Sequence, residues 1–203
     1  ITIQGNYQCG DHIIPQGEEC VAGTLVIPRG TEVTSTVQTI LTGLGLTEVI
    51  VNVMPRVLVL TSGHEVIEPG ESLTPGKIYN SNRAMICGLL EDLGFHKITH
   101  YHVSDAPEEL DSEINHVLKL SEEADIIISS GGVSVGLFDT MPLIYEKLGA
   151  QSIYARIQMR PGAASYGAVT PKGQIIFGLS GNPGAAFNGW HLIVAPTLKR
   201  YKG

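Results

Sequence analysis

The sequence lacks most of the features that announce a function at sight. Its three cysteines, Cys9, Cys20 and Cys87, form no CxxC pair, which excludes a zinc knuckle and a dithiol redox motif. So low a count fits a reducing compartment, and the expected location is cytoplasmic. No apolar run approaches the roughly 18 residues that a membrane-spanning helix needs. Positive charge is scarce, with 13 Lys and Arg against 20 Asp and Glu and a formal net charge of −7. A basic face for nucleic acid is therefore not expected, although an acidic chain can still carry a local positive pocket. GxGxxG, GxxxxGK(S/T) and GxSxG are all missing, which removes the usual marks of a dinucleotide fold, a P-loop and a hydrolase elbow. The seven histidines show no HExxH spacing. The chain does not begin with Met and has no signal-like start, so the expectation is a piece cut from a longer protein.

What is present reads as a globular chain of 203 residues with 43% hydrophobic content, enough for one well-buried domain and some extra material. Residues 1–31 are rich in turns, and YQCG, HIIP and TLVIP read as short strands of a small β-domain. A helix is expected from Glu32 to Leu44, capped by Thr31 or Thr34, followed by a short strand at Val49, Val51 and Val53. From Arg56 the pattern changes. Apolar runs at Val57–Leu60, Lys97–Val103 and Asp125–Ser129 alternate with helical periodicities at Ser81–Leu93, capped by Ser81 or Asn82, at Pro107–Leu120 and at 139–148. A strand at Ile153–Met159 and a hairpin around TPKG follow, and GNPG opens a last helix through Trp190. The fold class this implies is α/β, a three-layer α/β/α arrangement of a mostly parallel sheet, preceded by part of a small β-domain. The division expected is 1–54 for the β-rich remnant with its connecting helix and 55–198 for the α/β domain. The three cysteines are expected to pack as small hydrophobes, and Trp190 to lie in the core or a dimer seam.

In such sheets ligands bind beyond the carboxyl ends of the strands. Three loops leave apolar strands there, Thr61–Glu65, Ser129–Gly136 and Leu179–Gly184, and each combines Gly with Ser or Asn. A glycine-lined loop lets backbone N–H groups approach phosphate oxygens, and a following helix N-terminus favours an anion. SSGGVSVG is thus either a tight turn or an anion nest. Asp139 is either an N-cap or a magnesium ligand. Glu65 and Glu68 are either solvated loop acids or carboxylates facing a crevice, Asp105 is either a helix cap or a carboxylate facing the same crevice, and His64 is either a surface residue or an acid–base group.

Read in order, PRVLVLTSGHE, PGKIYNSN, SDAPEEL, ADIIISSGGVSVGLFD, MRPG and FGLSGNPGAAF resemble the molybdopterin molybdotransferase family. Its bacterial members are called MoeA, and its eukaryotic counterparts include the large domain of gephyrin. The resemblance runs from about Gly17 to the C-terminus. It implies the central molybdopterin-binding domain of a homodimeric enzyme about twice as long. That enzyme inserts molybdate into adenylylated molybdopterin with Mg²⁺ and releases AMP. It also implies a pterin substrate, other molybdenum cofactor biosynthesis proteins as partners, and neither nucleic acid nor membrane.

Carried over residue by residue, Thr61, Ser62, Gly63, Ser81, Asn82, Gly131, Gly132, Ser134, Gly136, Asn182 and Pro183 would bind the pterin. Glu65 and Asp139 would hold Mg²⁺. Asp105, Asp139 and Arg160 would serve catalysis. The chain departs from the family pattern at His64, where an Asp is usual, at Ser180, where a Pro is usual, and in RPGAA at 160–164, where KPGKP is usual. Ala163 removes a positive charge from a place where negative charge has to be held. Two alternatives therefore stand beside the transferase: a degenerate pterin-binding or scaffold protein, and a molybdopterin adenylyltransferase built on a similar α/β domain.

Overall fold

The computed structural model describes residues 4–6, 8–132 and 140–202. The chain divides into two compact units, one reaching Ile50 and one spanning Val51–Lys202.

The first unit is mostly turns. Its one helix among the described residues, α1 (Ser35–Gly43), starts where the Thr34 hydroxyl accepts the Val37 N–H at 3.4 Å. Thr34 is thus the cap, and Glu32 lies outside the helix. The short strands expected at 12–15 and 24–28 are not formed. Neither is one at Val49–Val53, where no strand pairing forms and Ile50 is fully exposed. The reason is local: Pro15, Val21 and Pro28 carbonyls each close a turn onto the residue three ahead, at 3.0–3.3 Å. Gly17, Gly23 and Gly30 sit at φ near +90° within this stretch, a conformation that breaks a pleat. Cys9 and Cys20 are exposed rather than packed.

In the second unit a six-stranded sheet runs in the order β4-β1-β5-β8-β7-β6. Its parallel half is β4 (Ile98–Val103), β1 (Val57–Ser62), β5 (Ile126–Ser130) and β8 (Ile175–Leu179). β7 (Tyr166–Val169) and β6 (Gln151–Tyr154) add an antiparallel edge. Both faces are covered, so β1 and β5 read as continuous apolar runs with every residue buried. Successive side chains part to opposite faces. Val57, Val59, Ile126 and Ile128 pack on α2 (Ser81–Asp92), α5 (Pro183–Gly189), the helical turn that follows it and α6 (Ala195–Lys202) through Ile86, Leu90, Ala186, Trp190 and Leu198. Leu58, Leu60 and Ile127 pack on α3 (Leu110–Ser121) and α4 (Thr140–Lys147) through Ile114, Val117, Met141 and Ile144. Each such side chain contributes about 1.5–3 kcal/mol on leaving water. The expected three-layer α/β/α sheet is therefore the observed one, and Trp190 is a core residue, 1% exposed.

Four local expectations need correction. The cap of α2 is Asn80, whose Oδ1 accepts the Arg83 N–H at 3.1 Å, not Ser81 or Asn82. Helix α3 starts three residues after Pro107, because Ala106 to Glu109 form a separate turn closed by Glu109 N–H to Ala106 O at 3.0 Å. β6 ends at Tyr154, after a register shift between Ser152 and Tyr154, and the Tyr154 ring lies against Gly167, where any Cβ would clash. Between α5 and α6 the last helix widens into a π turn at Trp190–Val194. A two-stranded parallel pair, β2 (Val66–Ile67) with β3 (Ile78–Tyr79), was invisible to periodicity because each strand is two residues long.

Candidate functional site

The parallel strands β1, β4, β5 and β8 all deliver their carboxyl ends to one cleft of about 980 Å³. β1 contributes Thr61 and Ser62 and then Gly63, His64 and Glu65; β4 contributes His102, followed by Ser104 and Asp105; β5 contributes Ser130 with Gly131 and Gly132. Ser180, Gly181 and Pro183 come from the β8–α5 turn, and Asn80, Ser81 and Asn82 from the start of α2.

The glycine side of the cleft is closely fitted. Gly131 has φ +87° and Gly132 φ +58°. A Cβ on Gly131 would lie 2.5 Å from the Ser62 carbonyl oxygen, and one on Gly132 would lie 2.7 Å from Ser62 Oγ. The Gly131 N–H donates to the Leu179 carbonyl at 3.2 Å, so this group ties two strand ends together and is not an anion donor. Ser134, Gly136 and Asp139 lie outside the described residues.

Asn82 fastens α2 to two of the loops. Its Nδ2 donates to Ser130 Oγ and to the Gly181 carbonyl, each at 2.8 Å. Ser130 Oγ in turn donates to the Ser180 carbonyl at 3.1 Å. Among the described residues two buried side-chain atoms have no hydrogen-bond partner, Ser62 Oγ and Asn82 Oδ1. Both residues line the cleft.

The opposite side is a polar network. Thr61 Oγ1 is 3.1 Å from His100 Nε2 and 3.1 Å from His102 Nδ1. It also accepts from Asn80 Nδ2 at 2.9 Å, and that amide donates to Glu68 Oε1 at 2.8 Å. Glu68 pairs with Arg83 at 2.5 Å. Burial raises the Glu68 pKa, but the hydrogen bonds from Asn80 and Arg83 and the Arg83 charge outweigh it and leave the carboxyl below its ordinary value. Burial first, and then the Arg83 charge, push His100 down to about 4.

Of the acids expected at strand exits, Glu65 and Asp105 line the cleft. Asp105 Oδ1 accepts from Thr140 Oγ1 at 3.1 Å, and Glu65 lies 3.5 Å from exposed His64. Among the described residues no group of three or more His, Cys, Asp and Glu could hold a metal ion. Three expected residues fall elsewhere. Arg160 is exposed and outside the cleft, where Ala164 stands instead. Asn182 caps α5 by accepting the Ala185 N–H at 3.1 Å and does not line the cleft. Glu68 sits behind it, in the Asn80–Arg83 network. The residues missed by motif reading are His102, Lys77 and Ser130. The spacing of His100 and His102, two apart on one strand and so on one face, was the available signal. The Lys77 ammonium donates to the His64 carbonyl, and although PGKIYNSN contains it, the reading of that motif picked out only Ser81 and Asn82.

Known proteins resemble this chain along its whole length. A family described as "Probable molybdopterin binding domain" matches residues 58–200. A molybdopterin molybdenumtransferase of Staphylococcus epidermidis is 38% identical over 202 residues, covering 100% of this chain and 47% of that protein. The Bacillus subtilis protein of the same name is 35% identical over 201 residues, covering 99% and 46%. The chain thus spans about half the length of the curated relatives it matches. Among solved structures, the molybdopterin biosynthesis MoeA protein of Pyrococcus horikosii superposes with a TM-score of 0.73 at 28% identity, over 91% of this chain and 44% of that one.

Proposed function

The chain belongs to the molybdopterin-binding domain family, and from that membership we propose that its cleft takes the phosphate-bearing end of adenylylated molybdopterin, for insertion of molybdate and release of AMP. The observation that carries this reading is the pair of orphaned atoms. A buried polar atom without a partner costs about 1–3 kcal/mol. Ser62 Oγ and Asn82 Oδ1 face that cost in the same cleft, and a ligand offering a hydrogen-bond acceptor and a donor relieves both. The close passage of Gly131 and Gly132 over Ser62 leaves room for such a ligand only because neither residue carries a Cβ.

Mg²⁺ belongs to this proposal as a weakly held partner of the ligand's phosphates, with Glu65 and Asp139 as its protein oxygens. It would neutralise phosphate charge. Glu65 is the described half of that pair, and no step is routed through the ion. The whole protein is proposed to be a cytoplasmic homodimer acting with other molybdenum cofactor biosynthesis proteins. Among the described residues no helix is long and apolar enough to cross a membrane.

One observation favours the second reading, a pterin-binding module without transfer. Lys77 is the only Lys or Arg lining the cleft among the described residues, and its ammonium is engaged by the His64 carbonyl. With Ala163 and an outward Arg160, the cleft is short of fixed positive charge for an oxyanion. Calorimetric titration of the whole protein with adenylylated molybdopterin, with and without molybdate, tests both readings. Binding followed by AMP release on adding molybdate is expected of the transferase. Binding without release would select the module, and no binding would overturn both.

A further inference from the structure

Thr61 is 2% exposed, and its hydroxyl is surrounded by three partners. A hydroxyl has one proton to donate and two lone pairs to accept with. The Asn80 amide is not free to turn, because its Oδ1 is the N-cap of α2, so its Nδ2 occupies one lone pair. One lone pair and one proton remain for two imidazole nitrogens, His100 Nε2 and His102 Nδ1. One of them must therefore donate to Thr61 and the other must accept from it. Because the two facing nitrogens are of different kinds, a neutral pair must share the same tautomer. If His102 Nδ1 carries the proton, so does His100 Nδ1; if His100 Nε2 carries it, so does His102 Nε2. A charged His102 donates from Nδ1 and fixes His100 as the Nδ1–H form. His100 is the ring that resists charge, held neutral by burial and Arg83.

His102 lines the cleft and His100 does not. With Nδ1 committed to Thr61 and no hydrogen bond from Nε2 to any described residue, Nε2 is the ring nitrogen left for a ligand. We infer that His102 is a ligand-contacting residue of this cleft, and that its donor or acceptor role is set jointly with that of His100 through the Thr61 hydroxyl. This rests on the reading of the cleft as a phosphate-ligand site. A phosphoryl oxygen only accepts, so it selects His102 with a proton on Nε2. His100, which does not line the cleft, takes the tautomer that the protonation of His102 dictates.

The test is long-range nitrogen–proton NMR of the whole protein with labelled histidine, recorded at about pH 8, where an ordinary imidazole is neutral. Without ligand, His100 and His102 are expected in one and the same tautomer, and a mixed pair would overturn the coupling. AMP is the probe for the second half. On its addition His102 is expected to carry a proton on Nε2. His100 then becomes the Nε2–H form beside a neutral His102, or the Nδ1–H form beside a charged one. Movement of the Asn82 and Gly181 amide signals without any change at His102 would overturn the contact while leaving the phosphate-site reading standing. If no cleft amide moves, the phosphate-site reading fails and takes the contact with it, while the ligand-free tautomers still decide the coupling. Thr61→Val should let the two rings adopt tautomers independently. Thr61→Ser, which keeps the hydroxyl, should restore the match, and a match surviving in Thr61→Val would contradict the role of the hydroxyl.

Discussion

The two ends of the parallel strands are built on opposite principles. At the amino end no buried side-chain polar atom among the described residues is left without a partner. Gln174, 7% exposed, donates from Nε2 to the Ser121 carbonyl at 2.6 Å and the Ala124 carbonyl at 2.7 Å, and its Oε1 accepts from Thr170 at 3.1 Å. Asp125, itself exposed, accepts the Arg56 N–H at 2.8 Å where β1 begins. At the carboxyl end, Ser62 Oγ and Asn82 Oδ1 are buried and unanswered. Same sheet, same chain and same burial give a closed network at one end and an open one at the other. Completeness there serves stability; incompleteness here is what the proposed ligand site requires.

The largest break in this contrast comes from Gly131→Ala. The new Cβ meets the Ser62 carbonyl at 2.5 Å in a residue held at φ +87°, so strain and overlap combine. A loss of about 2–4 kcal/mol in stability is expected, with ligand affinity falling at least about tenfold, read by denaturant unfolding and calorimetry. Gln174→Leu attacks the other end alone. It strands two buried carbonyls and should cost about 2–3 kcal/mol while leaving ligand affinity unchanged. An affinity loss in that variant would mean that the two ends are not separable.

These two positions also show what can be read from residues alone. The sheet was legible because β1 and β5 are unbroken apolar runs, and a doubly covered parallel strand has that composition and little else. The loops at their ends were legible as a group because Gly, Ser and Asn recur after each strand. The strands expected in the first unit were not formed, since apolar residues such as Leu25 and Val26 have no partner edge between the turns around them. The places of Arg160 and His102 escaped motif reading for a related reason. Motif matching reads position along the chain, whereas Arg160 turns outward and His102 is brought in by the pairing of β4 with β1, where Thr61 meets His102 in register.

A smaller effect separates the histidine side from the glycine side. His100 falls from its ordinary 6.5 to about 4 in the folded chain, so the unfolded chain binds the extra proton first. This contribution to stability is fully present above pH 6.5 and is lost as the pH falls toward 4. Half-exposure and screening limit it to about 1 kcal/mol. His100→Asn should flatten the slope of unfolding free energy against pH in that window, and an unchanged slope would assign it to other groups.

Ser62→Ala probes the orphaned atom directly, because it removes the hydroxyl and keeps the packing. Thermal unfolding of the ligand-free protein should show a melting temperature that is unchanged or higher, by up to about 1 kcal/mol of added stability, while affinity for adenylylated molybdopterin falls about tenfold in calorimetry. A variant that melts earlier and binds as tightly as the parent would show that Ser62 Oγ serves the fold, and would contradict the claim that this end of the sheet is left open for a ligand.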